Sequence, residues 1–169
     1  MSIFTKNLIK YPGCANLIVD SPKQEESNYI LVPNPTKGYQ RGVISQQVAL
    51  KYKQHLKVVS MSYNRPNPTQ TPIKKLMLPY PDNYVLPEMD LLGFMPLDKW
   101  WNTIYSSKFG IDIHREFAGG NVSLEFGSFG VPLIGNINLD TQRDIFPDLS
   151  FEHYDYEGIE KAINLLIND

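Results

Sequence analysis

The sequence predicts an α/β protein, a doubly wound and mainly parallel sheet of about six strands with helices on both faces. Three observations carry that expectation. Short apolar runs recur along the chain, stretches with helical spacing of apolar residues lie between them, and no repeat or low-complexity tract interrupts the alternation. Strands separated by helices pair in parallel through right-handed crossovers.

The elements follow in order. Asn16-Leu17-Ile18-Val19 is the first apolar run, within a lead-in segment over residues 1–27. Tyr29-Ile30-Leu31-Val32-Pro33 reads as a strand and runs into the turn-prone Asn34-Pro35-Thr36-Lys37-Gly38. Residues 42–55 have helical spacing, with Ile44, Val48 and Tyr52 on one face, and a strand follows at 56–61. Seven of the 13 prolines fall between Pro66 and Pro96, and three of them with two asparagines exclude regular structure at 64–72. A short irregular strand is expected near Leu76-Met77-Leu78 and a better one at 90–95. Pro96 stands where helix starts tolerate proline, and Leu97, Trp100, Trp101 and Ile104 form an apolar face behind it. Residues 110–114 make the next strand. The pair Gly119-Gly120 precedes a helix at about 121–129, with Val122, Phe126 and Phe129 on one side. Strands at 131–135 and 149–153 follow. Asp155 caps the last helix, which carries Ile159, Ala162, Ile163 and Leu166 at helical spacing.

In sheets of this kind ligands bind beyond the carboxyl ends of the strands, which directs attention to residues 34–41, 95–97, 114–121 and 135–140. The richest segment is 114–125, from His114 through the glycine pair to Glu125. It runs from a strand end into a helix start, where free N–H groups and the positive end of the helix dipole attract an anion. Glycines let a phosphate approach the backbone, and Glu125 is placed to accept hydrogen bonds from a ribose diol. The same residues are also compatible with a tight turn followed by an exposed acid. The second candidate is 34–41, where Lys37 and Arg41 place two cations near a helix start, as a departing diphosphate requires.

Composition narrows the class. The chain has 169 residues, suited to one domain over 1–169, with 16 basic and 18 acidic side chains and a net charge of −2. Such a balance gives no field for a polyanion, so nucleic acid is not an expected partner. One cysteine, Cys14, makes no internal disulfide, and no apolar run approaches a membrane span or a signal peptide, so a cytoplasmic location is expected. His55, His114 and His153 show no metal-ligand spacing, and Asp155-Tyr156-Glu157 is better explained by helix capping than by a metal. No metal or cofactor is expected. A phosphate-binding G-x-x-x-x-G-K-[ST] loop, a nicotinamide-type G-x-G-x-x-G turn and a G-x-S-x-G nucleophile elbow are all absent.

The order of segments resembles a known family. Tyr29-Ile30-Leu31-Val32-Pro33 with Lys37-Gly38, then Leu92-Gly93-Phe94-Met95-Pro96-Leu97, then Glu116 and the stretch Asn121-Val122-Ser123-Leu124-Glu125 through Gly130-Val131-Pro132-Leu133-Ile134 succeed one another. This is similar to the C-terminal, Rossmann-like, nucleotide-sugar-binding half of the GT-B retaining glycosyltransferases, the group that includes glycogen and sucrose synthases. The resemblance implies transfer of a sugar from a nucleoside-diphosphate sugar, without an obligatory metal. It implies that Glu125 holds the ribose and that Gly119, Gly120 and the amides of Asn121 and Val122 cradle the diphosphate. It further implies that Lys37 neutralises the phosphates, that the turn around Met95 lies beside the base, and that Glu116 lies near the donor sugar. Arg41 follows the lysine, where the family has an arginine before it, and His114 adjoins the glycine segment. Eight residues separate Glu116 from Glu125, against seven in the family. The acceptor site of that family belongs to an N-terminal half, so a second lobe or partner chain is expected. A nucleotide-binding module without catalysis and half of a sugar-nucleotide epimerase are the alternatives.

Overall fold

The computed structural model describes residues 29–33, 43–60, 88–92, 95–113 and 120–169. Its strands are β1 (Tyr29–Val32), β2 (Lys57–Ser60), β3 (Asp90–Leu91), β4 (Phe109–Asp112), β5 (Leu133–Asn136) and β6 (Ser150–Phe151). Its helices are α1 (Val43–Leu50), α2 (Leu97–Tyr105), α3 (Asn121–Phe129), α4 (Asp140–Ile145) and α5 (Tyr156–Asn168). The strands form one sheet in the order β3-β2-β1-β4-β5-β6, and every neighbouring pair is parallel. The predicted α/β class and the parallel pairing are both present, and this strand order is that of the Rossmann-like folds.

Burial explains the character of the strands. β4 and β5 are buried at all four positions, as parallel strands covered on both faces must be. Right-handed crossovers then assign the helices to faces, because β1→α1→β2 and β4→α3→β5 proceed in opposite directions across the sheet. Accordingly α2, α3 and α4 pack in a row. On the other side Lys51, in the turn just after α1, forms an ion pair with Glu160 of α5 at 2.5 Å. At the centre, Ile30 pairs with Phe109 and Leu31 with Gly110. A Cβ at Gly110 would overlap the Phe126 ring, so the glycine is what lets α3 lie close on β4. Two polar contacts close the amino edge. The Tyr29 hydroxyl donates to the Thr103 carbonyl at 2.6 Å, in the last turn of α2, and Lys108 Nζ donates to the Ile167 carbonyl at 3.0 Å, in the last turn of α5. Both satisfy helix-end carbonyls that have no partner within their own helix.

Several expectations are corrected. The helix expected over 42–55 ends at Leu50, and its buried residues are Ser45, Gln46, Val48 and Ala49, whereas Ile44 is only partly buried. The expected face of Ile44, Val48 and Tyr52 does meet the core, with Val48 buried, but Ser45 and Gln46 share that inward side. The strand expected over 90–95 is the two-residue β3. Leu97 is 57% exposed in the first turn of α2, beyond the reach of the sheet, while Trp100 and Ile104 carry the buried face. α4 was not anticipated, because only Gln142 of its six residues is buried. α3 and α5 match their expectations, including the cap in which the Asp155 carboxylate accepts from Gly158 N–H at 3.0 Å. The segments 16–19, 34–42, 64–72 and 76–78 lie outside the described residues. Among the described residues, no helix is long and apolar enough to cross a membrane.

One buried amide ties the α3–α4 layer to the sheet. Gln142, with no exposed surface, accepts from Ser123 Oγ at 2.8 Å and donates through Nε2 to the carbonyls of Leu133 at 2.8 Å and Leu149 at 3.3 Å. Gln142→Leu preserves the volume but strips a hydroxyl and two carbonyls of their partner. It is expected to lower unfolding free energy by about 2–4 kcal/mol in urea titration, against a few tenths for an exposed change such as Asp148→Asn.

Candidate functional site

Among the described residues the first strand, β1, lies in the middle of the sheet, the next two run outward to β3, and β4 returns beside β1, so the strand order reverses between β1 and β4. The carboxyl ends of those two strands bound the crevice in which such folds hold ligands. Polar side chains concentrate along this edge. Six of the nine buried polar residues among the described ones lie there: Ser60, Asp112 and Asn136 at the ends of β2, β4 and β5, and Ser45, Gln46 and Ser123 in the first turns of α1 and α3.

Several of them brace the edge. Ser45 Oγ donates to the Ile113 carbonyl at 3.0 Å and accepts from Ile113 N–H at 2.7 Å, which clamps the start of α1 to the residue after β4. Ser60 Oγ donates to the Val32 carbonyl at 3.0 Å, linking the ends of β2 and β1. Asn136 Oδ1 accepts from Asn138 N–H at 2.8 Å in the turn after β5. Asp112 is 5% exposed and engaged by its neighbours. Asn136 falls in the expected 135–140 segment, whereas Ser45, Ser60 and Asp112 were not singled out from the sequence. An acid inside the apolar run at 110–113 was a usable signal for Asp112, whereas the partner of Ser45 lies 68 residues away and leaves no local trace.

Of the site residues expected from sequence, Gly120, Asn121, Val122 and Glu125 come together on α3. Gly120 precedes the helix with φ of 64°, a left-handed conformation natural to glycine, and no side chain caps the first turn. A Cβ there would also collide with Thr141 Oγ1, which donates to the Gly120 carbonyl at 3.2 Å. Asn121 is exposed and Val122 half-buried, so the start of α3 presents backbone N–H groups and the positive end of the helix dipole. Glu125, one turn further on, faces α2, and its Oε2 accepts from Trp100 Nε1 at 2.9 Å. Burial raises its carboxyl pKa above the ordinary 4.5, and the Trp100 hydrogen bond opposes part of that rise.

Met95 lies elsewhere, at the start of α2. With Leu92, Pro96, Lys99, Asn102 and Thr103 it lines an open hollow of about 390 Å³ on the flank of α2 away from α3. Thr103 Oγ1 holds its sulfur at 3.4 Å. Lys37, Arg41, His114, Glu116 and Gly119 lie outside the described residues. His55 is exposed in the turn after α1, and His153 stacks edge-on with Tyr154 at 5.0 Å between ring centroids. Among the described residues no group of three His, Cys, Asp or Glu side chains is placed to hold a metal.

The raised pKa of Glu125 has a definite sign. The folded state keeps this proton to higher pH than the unfolded chain, so the contribution to stability is full below about pH 4.5 and is lost as pH rises through the folded-state value. Glu125→Gln keeps an acceptor for Trp100 and removes the buried charge. Its melting temperature is expected to exceed that of the parent at pH 7, with the gap closing as pH falls towards 4.5 in calorimetric scans.

No family model matches this chain, and a search of the curated proteins finds no match.

Proposed function

We propose that this chain binds a nucleoside-diphosphate sugar along the carboxyl edge of its sheet and serves as the donor-binding lobe of a glycosyltransferase. The observation that carries this reading is the pairing, on one helix, of an anion-attracting start behind Gly120 with the half-buried carboxylate of Glu125 one turn inward. Amides without a side-chain cap suit a diphosphate, and an acceptor-only carboxylate suits a ribose diol.

In this reading the bond between the sugar's anomeric carbon and the diphosphate oxygen breaks heterolytically, through an oxocarbenium-like transition state. Negative charge grows on the departing oxygen. The amides of Gly120, Asn121 and Val122, fixed by the fold before the substrate arrives, stabilise that charge without reorganising. By the family resemblance alone, Lys37 is assigned to the phosphates with Arg41 as a second cation, Gly119 to the diphosphate turn, Glu116 to the donor sugar and His114 to donor binding. The acceptor hydroxyl is held by a second lobe.

Calorimetric titration with UDP, GDP, ADP and their glucose conjugates tests the assignment. Glu125→Ala is expected to weaken nucleotide binding about 10–100-fold, the equivalent of a lost charge-assisted hydrogen-bond pair, while pyrophosphate binding stays close to that of the parent. Parent-like nucleotide affinity in this variant removes Glu125 from the site. Nucleotide binding without donor hydrolysis or transfer, with the second lobe supplied, identifies a binding module.

A further inference from the structure

The two adjacent tryptophans of α2 have different fates. Trp101 Nε1 is buried without a hydrogen-bond partner among the described residues. Trp100, only 7% exposed, sends its Nε1–H across to α3 and meets Glu125 Oε2 at 2.9 Å. An indole N–H donates and never accepts, so the direction of this bond is fixed, and a carboxylate is its strongest ordinary acceptor. The indole is itself held rigidly in the core layer with Ile104 and Phe126. A glutamate on an open helix surface samples several rotamers, whereas this one has an oxygen tied to a buried, immobile donor.

We infer that Trp100 is a positioning residue for ribose recognition: by holding Oε2 it fixes the plane of the Glu125 carboxylate and aims Oε1 at the vicinal hydroxyls of the bound nucleotide. The inference rests on the reading of α3 as the nucleotide site, and it adds a specificity to that site. Discrimination between ribose and a sugar lacking both hydroxyls comes from a pre-oriented carboxylate, and its size depends on Trp100. A freely rotating glutamate loses conformational entropy on binding and discriminates less.

The test compares UDP, GDP and ADP with their 2′,3′-dideoxy counterparts on the full chain. The parent is expected to prefer the ribonucleotide at least tenfold, and Glu125→Gln to lose most of that preference. Trp100→Phe, which keeps a ring in the core but removes the donor, is expected to reduce it to threefold or less while leaving pyrophosphate affinity unchanged. A second measurement needs no variant at position 100. The chain holds two tryptophans, so its spectrum carries two indole N–H resonances, which Trp101→Phe assigns. Saturation with the ribonucleotide is expected to shift the Trp100 resonance strongly, and pyrophosphate or the dideoxy analogue to leave it near its free position. A parent-like preference in Trp100→Phe, or a Trp100 resonance that ignores the ribonucleotide, overturns the role of Trp100 while nucleotide binding by the parent stands. No nucleotide binding by the parent, or none of the preference traced to Glu125, overturns both the site and the inference drawn from it.

Discussion

The return of β4 to the side of β1 is the constraint from which the remaining architecture follows. Once the chain has moved outward through β2 and β3, its next strand has to enter at the centre, with both faces covered. Ile30, Leu31, Phe109 and Ile111 are consequently without exposed surface, and the strand tolerates Gly110 because Phe126 takes the space a side chain would fill. All strands then point the same way. Each connection from strand to helix leaves from one edge, and the positive ends of the helices gather there.

That edge has to reconcile burial with polarity. Ser45 and Ser60 resolve the conflict inward, each spending its hydroxyl on a backbone group of a neighbouring strand end. They stiffen the rim. Glu125 resolves it differently, with a single indole donor that offsets only part of its desolvation. A carboxylate kept in that condition is stabilised by any further donor, and the hydroxyls of a ribose supply such donors. The contrast separates hydroxyls that hold the framework from a carboxylate whose desolvation is only partly offset.

How much was legible depended on whether the determining contact was local. α3 could be bounded because glycines with positive φ, Gly120 and Gly130, stand at its two ends and an apolar face runs between them. α5 was equally plain from Asp155 and its four buried apolar residues. α4 left no trace, since a six-residue polar helix held by one buried glutamine has no periodicity to detect. α1 was legible only in part: Val48 is buried as expected, but Ser45 and Gln46 share its inward side, and the partner of Ser45 lies 68 residues along the chain. Within the site, Gly120 and Glu125 were marked by their neighbours in sequence. Trp100 was read as core packing, which its exposure supports, but its hydrogen bond crosses 25 residues and a helix boundary.

The Tyr29 hydroxyl bond to the Thr103 carbonyl also has a mechanical meaning. Burial pushes that phenol up to about 12, so the donor stays protonated, and the far end of α2 stays tethered, across the whole neutral and mildly alkaline range. A nine-residue helix spans about 13 Å. Trp100, packed in the core and bonded to Glu125, holds its first half, and the Thr103 carbonyl holds its last turn. α2 is therefore pinned at two levels, and the hollow along its flank is walled by a fixed strut.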